Sequence, residues 1–159
     1  MSTHTIPWLE NIKLILSRPK AVQFAALCYR PGADGTPEVL LVTSSRGRWI
    51  APKGWPINGL EGAQIALQEA WEEAGVQDGK PWPEPLTSYD CVKQHDSGLE
   101  RDCTIWVYPI EVTRMCDDFP EADRRDIVWL PIAQAIEKAE EPGLRDALQQ
   151  FAEKMVARA

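Results

Sequence analysis

From Ala21 to Tyr29 the chain reads AVQFAALCY, a run rich in apolar residues that predicts a strand, and Glu38 to Thr43, EVLLVT, predicts a second. Pro31, Gly32, Asp34, Gly35 and Pro37 lie between them and mark a turn, so the pair reads as a hairpin. Arg48 to Ala51 reads as a short strand. A turn-rich approach from Pro52 to Gly59 then leads into a helix over about 61–74, in which Ala63, Leu67, Ala70 and Ala74 repeat at the spacing of a core stripe. Gly75 is placed as its stop signal. Residues 77–86 carry Gly79, three prolines and four charged or amide side chains, and are expected to form a loop. Thr87 to His95 and Asp102 to Val112 predict strands around a turn at Asp96, Ser97 and Gly98. The highly charged stretch 114–126 predicts irregular chain. Ile127 to Leu130 predicts a short strand, and Pro131 suits the first position of a helix running to about Ala139. Leu144, Ala147, Leu148, Phe151, Ala152 and Met155 keep helical period and predict a terminal packing helix. Ahead of all this, residues 1–7 read as a loose tail and Trp8 to Leu16 as a short helix with Trp8, Ile12 and Leu16 on one side. Strands before and after a central helix, then helices at the end, describe a mixed α/β layered fold, with residues 1–159 as one domain.

Composition narrows the function classes. A hydrophobic content of 44% and a charged content of 26% are ordinary for a globular chain. A net charge of -7 and a pI near 4.9 argue against binding a nucleic-acid polymer, which depends on neutralising phosphates along a strand. They leave a small phosphate substrate open, because a bound cation and a local basic cluster can invert the field where it matters. Cys28, Cys91, Cys103 and Cys116 have no close pairing of the zinc-site kind, and free thiols in a reduced compartment account for them; Cys91 and Cys103 could face each other across the predicted hairpin. No apolar run approaches the roughly 20 residues that span a bilayer. Glu10 and Lys13 interrupt the one N-terminal stretch that could serve as a leader, so a cytoplasmic protein without a membrane partner is expected.

The candidate chemistry sits on the central helix. Glu69, Glu72 and Glu73 are spaced i, i+3 and i+4, which puts three carboxylates on one helix face. An acidic face of this kind is often merely solvated. Here Pro52, Lys53, Gly54, Trp55, Pro56 and Gly59 form a loop feeding that helix, and such a loop can add a backbone carbonyl to the carboxylate oxygens around a hard divalent cation. Arg46, Arg48 and Lys53 cluster just before it and suit phosphate oxygens, although a solvated loop explains them equally well. Lys93 and His95 share a strand face, with Arg101 just across the predicted turn. Arg124 and Arg125 sit in an acidic stretch where Asp123 or Asp126 would pair with them.

Residues 54–76, GWPINGLEGAQIALQEAWEEAGV, resemble the Nudix box: Gly, five residues, Glu, seven residues, Arg-Glu, an aliphatic, any residue, Glu-Glu, any residue, Gly, aliphatic. Gly54, Glu69, Glu72, Glu73, Gly75 and Val76 occupy their pattern positions without a gap. Leu60, with Glu61 beside it, stands where the first Glu belongs, and Gln68 stands for the Arg. In the family those two commonly form an ion pair bracing loop to helix, so their joint replacement leaves no charge unpaired. The resemblance implies an α/β/α sandwich with a mixed central sheet. It also implies hydrolysis of a phosphoanhydride bond in a small diphosphate or polyphosphate substrate, using Mg2+ or, in its place, Mn2+. The implied ligands are Glu69, Glu72, Glu73 and the Gly54 carbonyl. Glu73 is the expected general base, with Glu69 nearly as suitable and Glu100 or Glu121 able to arrive from loops, and Arg46, Arg48, Lys53 and Arg101 are the expected phosphate contacts. Leu40-Leu41-Val42, Ser44-Ser45-Arg46, Arg48-Trp49-Ile50 and Arg124-Arg125 extend the likeness toward the diphosphoinositol polyphosphate phosphohydrolase group, which also acts on dinucleoside polyphosphates. Pro52-Lys53-Gly54-Trp55-Pro56 replaces the glycine run of its eukaryotic members, and the basic inventory is modest. Dinucleoside polyphosphates are therefore expected ahead of inositol pyrophosphates, with a ligand-binding sensor that does not cleave as the alternative. Dimers are common in the family, so a homodimer is among the expected assemblies.

Overall fold

The computed structural model describes residues 20–94, 98 and 100–158. The expected tail and short helix before Lys20, together with His95, Asp96 and Ser97, lie outside them. The described strands are β1 (Ala21–Pro31), β2 (Pro37–Thr43), β3 (Trp49–Ile50), β4 (Lys53–Gly54), β5 (Val76–Pro81), β6 (Thr87–Gln94), β7 (Glu100–Met115) and β8 (Ile127–Pro131). The helices are α1 (Gly62–Ala74), α2 (Ile132–Lys138) and α3 (Pro142–Arg158). None of the described helices is long and apolar enough to cross a membrane.

All eight strands join one mixed sheet. β1 lies at its centre, antiparallel to β2 and β4 and parallel to β7. β2 pairs with β8 on its other flank and with the short β3 beyond the end of β1, and β7 carries β5 and β6, all antiparallel. β1 is covered on both faces, which is why it reads as a continuous apolar run rather than an alternating one. Its side chains alternate between two cores. Ala26 and Cys28 face α1 with Leu40, Val42 and Ile110, while Ala25 and Leu27 face α2 and α3 with Val39, Leu41, Ile105 and Val107. The expected α/β/α sandwich is thus formed. The α1 side of the core is small, built on Ala63, Ala66, Ala70 and Ala74, so the helix axis lies close to the sheet; Leu67 packs at the margin rather than inside.

Three expectations need correction. Val76–Pro81 is a strand, not part of a loop: it pairs with β7 through register shifts on either side of Asp78. Its composition is polar because it lies at the sheet edge, where one side faces solvent, and Gly79 is required where a side chain would press on Ile110 and the Glu111 carbonyl. β7 also runs three residues past Val112 to Met115, because β5 pairs with that end. Pro131 caps α2 from outside instead of opening it.

Phe151 is fully buried on α3, its ring 4.8 Å from that of Tyr29 and 6.1 Å from that of Trp82. Phe151→Ala is expected to lower unfolding free energy by about 3–5 kcal/mol in urea titration, the cost of a buried aromatic cavity. A loss below about 1 kcal/mol would contradict this packing.

Candidate active site

The ends of α1 are fixed locally. The side-chain oxygen of Gln64 accepts the Glu61 N–H at 3.0 Å at the start. Gly75, at φ +77°, donates to the Ala70 and Trp71 carbonyls at the end and turns the chain into β5. With the alanine side against the sheet, Glu69 and Glu73 of the last two turns face β4, and Glu73 also meets the segment after β7. β4 approaches closely: any side chain on Gly54 would collide with the Glu69 carboxylate, and the Lys53 N–H donates to Glu73 Oε2 at 3.2 Å. Glycine at 54 is therefore a matter of space.

The segment 116–126 closes the other side. The Glu121 N–H donates to the Glu72 carbonyl at 3.0 Å, pinning this segment to the end of α1. From it Arg125 reaches inward. Its Nη2 lies 3.2 Å from both Glu73 Oε1 and Glu121 Oε1, and its Nη1 donates to the Thr43 carbonyl at 2.7 Å. The expected pairing of this arginine with Asp123 or Asp126 is not what forms; the Asp126 backbone N–H instead bonds Thr43 Oγ1 at 2.9 Å. Sequence proximity favoured those aspartates, but the chain turns Arg125 toward the carboxylates of α1, where its charge does more.

The three box glutamates are engaged separately. Glu69 lies against Gly54, Glu72 Oε1 accepts from Gln68 Nε2 at 3.1 Å, and Glu73 is held between Lys53 and Arg125. Among the described residues no three acidic, His or Cys side chains converge as a ready-made metal centre. Burial pushes Glu69 up to about 7, reinforced by Glu72 and Glu121 and opposed by Arg125. Burial likewise takes Glu73 to about 7, Arg125 being its main opposing influence. Together with Glu121, which a sequence reading could place only as a loop candidate, the donor set is all carboxylate oxygen, the chemistry a hard divalent cation requires.

Beside this group opens a cavity of about 480 Å³ lined by Ser44, Ser45, Arg46, Arg48, Ile50, Lys53, Val92, Lys93 and Glu100. Its basic rim follows from a tight turn after β2. Ser44 Oγ accepts the N–H groups of Arg46 and Arg48 at 3.3 and 3.1 Å, and Gly47 supplies φ +76°, so both arginines project from one short loop. No ion pair among the described residues engages Arg46, Arg48 or Lys93. Of the other two expected phosphate contacts, Lys53 has its ammonium 2.7 Å from Glu141 Oε1, and Arg101 is exposed outside the cavity lining. Arg101 stands directly opposite Lys93 in the β6–β7 pairing, yet Lys93 is the one that lines the cavity. Glu100 enters from β7, in the basic wall rather than with the box glutamates. Glu141 and the role of Arg125 were missed in the sequence, since both act across long stretches of chain and neither belongs to a local pattern.

No family model matches the chain. It is similar to the mitochondrial Nudix hydrolase 13 of Arabidopsis thaliana, at 29% identity over 72% of this chain and 59% of that protein. It is also similar to diphosphoinositol polyphosphate phosphohydrolase 3-beta of Homo sapiens, at 32% identity over 70% of this chain and 65% of that protein. The chain spans about 60% of the length of such relatives. Among solved structures it resembles a C. elegans Ap4A hydrolase binary complex, with TM-score 0.63 and 19% identity over 86% of this chain and 98% of that one. It also resembles the NUDIX domain of Shewanella oneidensis NrtR complexed with ADP ribose, with TM-score 0.62 and 19% identity over 98% of this chain and 99% of that one. At such identities these structures speak for the fold.

The carboxylate crowding has a measurable sign. Glu69 stands at about 7 when folded against an ordinary 4.5, so between those values the folded chain keeps a proton that the unfolded chain has released. Its contribution to stability is full below pH 4.5 and falls as pH rises to about 7. In buffer without divalent cations, Glu69→Gln should therefore gain stability relative to the parent between pH 5 and 7.5, read as urea midpoints. A relative loss over that range would contradict the burial and crowding described.

Proposed function

The chain belongs to the Nudix hydrolase family, and we propose that it is a divalent-metal-dependent hydrolase of a phosphoanhydride bond in a nucleoside diphosphate derivative or a polyphosphate metabolite. The observation that carries this reading is the juxtaposition of two oppositely charged surfaces: the carboxylates of Glu69, Glu72, Glu73 and Glu121, and the cavity bordered by Arg46, Arg48 and Lys93. A substrate with an anionic chain attached to a second group can span both.

Glu69, Glu72 and Glu73, with the Gly54 carbonyl, would hold Mg2+, or Mn2+ in its place. The ion supplies charge neutralisation and Lewis acidity, and protein groups then contribute chiefly by positioning. Arg46 and Arg48 present planar donors suited to bidentate contact with phosphate oxygens, and Lys93 adds a point charge. Glu100 offsets part of that charge, which favours a dinucleoside polyphosphate over a diphosphoinositol bearing many phosphates. Of the two candidate bases, Glu73 has one oxygen on Arg125 and the other on the Lys53 N–H. Glu69 is therefore the better proton acceptor for an attacking water.

A second reading, a ligand-binding sensor that does not cleave, draws on Leu60 and Gln68, which replace the charged pair of the box. One assay separates the two. The protein is incubated with Mg2+ and a panel of dinucleoside polyphosphates, nucleoside diphosphate derivatives and diphosphoinositol polyphosphates, and phosphate-containing products are quantified. Turnover should require the metal and stop on chelation. Glu69→Gln and Glu72→Gln should each lower kcat by about 100-fold or more while leaving the circular dichroism spectrum unchanged. Near-parental rates in both variants would sink the hydrolase reading, and ligand binding without turnover would establish the sensor.

A further inference from the structure

We propose that Glu141, at the start of α3 and far from the box in sequence, is a positioning residue for the acidic site, acting through Lys53. The inference deepens the hydrolase reading and rests on it. Lys53 has two roles at once. Its main-chain N–H holds Glu73 Oε2, and its residue is followed by Gly54, whose Cα lies against Glu69. Its ammonium is held 2.7 Å from Glu141 Oε1, both side chains being about nine-tenths buried. Moving that ammonium moves the peptide on which two of the three box glutamates rest.

The anchor is itself fixed. Glu140, the preceding residue, accepts the Trp49 N–H on Oε2 at 2.7 Å and donates its own N–H to the Trp49 carbonyl at 3.2 Å. Gly143, just beyond, leaves no space for a side chain because the Tyr89 ring occupies it. One turn between α2 and α3 thereby grips β3 through its backbone and β4 through a charged pair, and is seated on β6. The box does not provide this grip. Leu60 is partly exposed, and Gln68 spends its side chain on Glu72 of its own helix, so neither links loop to helix.

A buried ion pair is a poor source of net stability, and an apolar pair of similar volume often replaces it without loss. It is a good source of geometry, because breaking the contact leaves an unpaired charge. That difference separates positioning from mere stabilisation. The double variant Lys53→Met with Glu141→Leu removes both charges, Glu141→Gln removes one, and both are compared with the parent.

Two measurements decide. The first is hydrogen exchange of the Lys53 amide, read against the amides of Ala66 and Ala70 inside α1. Exchange at Lys53 should rise about tenfold in both variants while the α1 amides hold, since local opening does not require global unfolding. The second is the split between kcat and KM, where kcat should fall about 100-fold in the double variant with KM within threefold, as expected for displaced catalytic geometry. Unchanged Lys53 exchange overturns the proposal, and so does parental kcat in a folded double variant. A rise in KM with kcat preserved also overturns it, making Lys53 a direct phosphate contact. If the parent turns over nothing in the panel, the hydrolase reading fails by itself, and the exchange arm still rules on Glu141.

Discussion

The approach of the Lys53–Gly54 peptide to the acidic side of α1 is the constraint around which the rest of the site is arranged. It needs glycine at 54, because the Glu69 side chain fills the space a Cβ would occupy. It needs a helix close to the sheet, which the alanines at 63, 66, 70 and 74 permit. It also needs β4 to be held in place, although β4 is only two residues long and pairs with β1 over Phe24 and Ala25. Two residues of pairing fix little by themselves. The hold comes from outside the box, through the turn that precedes α3.

Electrostatics follows from the same approach. Bringing backbone and a fourth carboxylate up to three glutamates removes water from around like charges, and burial rather than repulsion is the larger influence on both Glu69 and Glu73. Arg125 answers this from the segment after β7, with donors divided among Glu73, Glu121 and the end of β2. The guanidinium thus balances charge and ties three elements together. Across Lys53, whose N–H bonds Glu73 and which also lines the neighbouring cavity, Arg46, Arg48 and Lys93 supply charge of the opposite sign. A chain with net charge -7 can in this way present a basic surface to an anionic ligand.

The fold was legible wherever periodicity reported burial. β1 and β2, α1 and the terminal helix emerged within a few residues of their places, because two-sided or one-sided burial leaves a plain apolar signature. β5 was not legible: an edge strand with glycine and proline has the composition of a loop, and only its partner β7 reveals it. The acidic helix, Gly54 and Gly75 could be read because the box is local in sequence. Arg46 and Arg48 could be read as candidates, since a short turn keeps them together. Arg125 was assigned the wrong partners and Glu141 was not noticed, because their contacts join residues 52 and 88 positions apart. Arg101 stands opposite Lys93 but outside the cavity lining, and nearness to a predicted turn does not say which strand residue lines it.

The central claim is that the acidic end of α1 and the basic cavity together direct water onto a phosphoanhydride. Its most direct test is hydrolysis of a dinucleoside polyphosphate in oxygen-18-labelled water with Mg2+, followed by mass spectrometry of the products. The account predicts one labelled oxygen on a single phosphoryl product, appearing only with the divalent cation present. Intact substrate throughout, or product formed at an unchanged rate in the presence of a chelator, would contradict it.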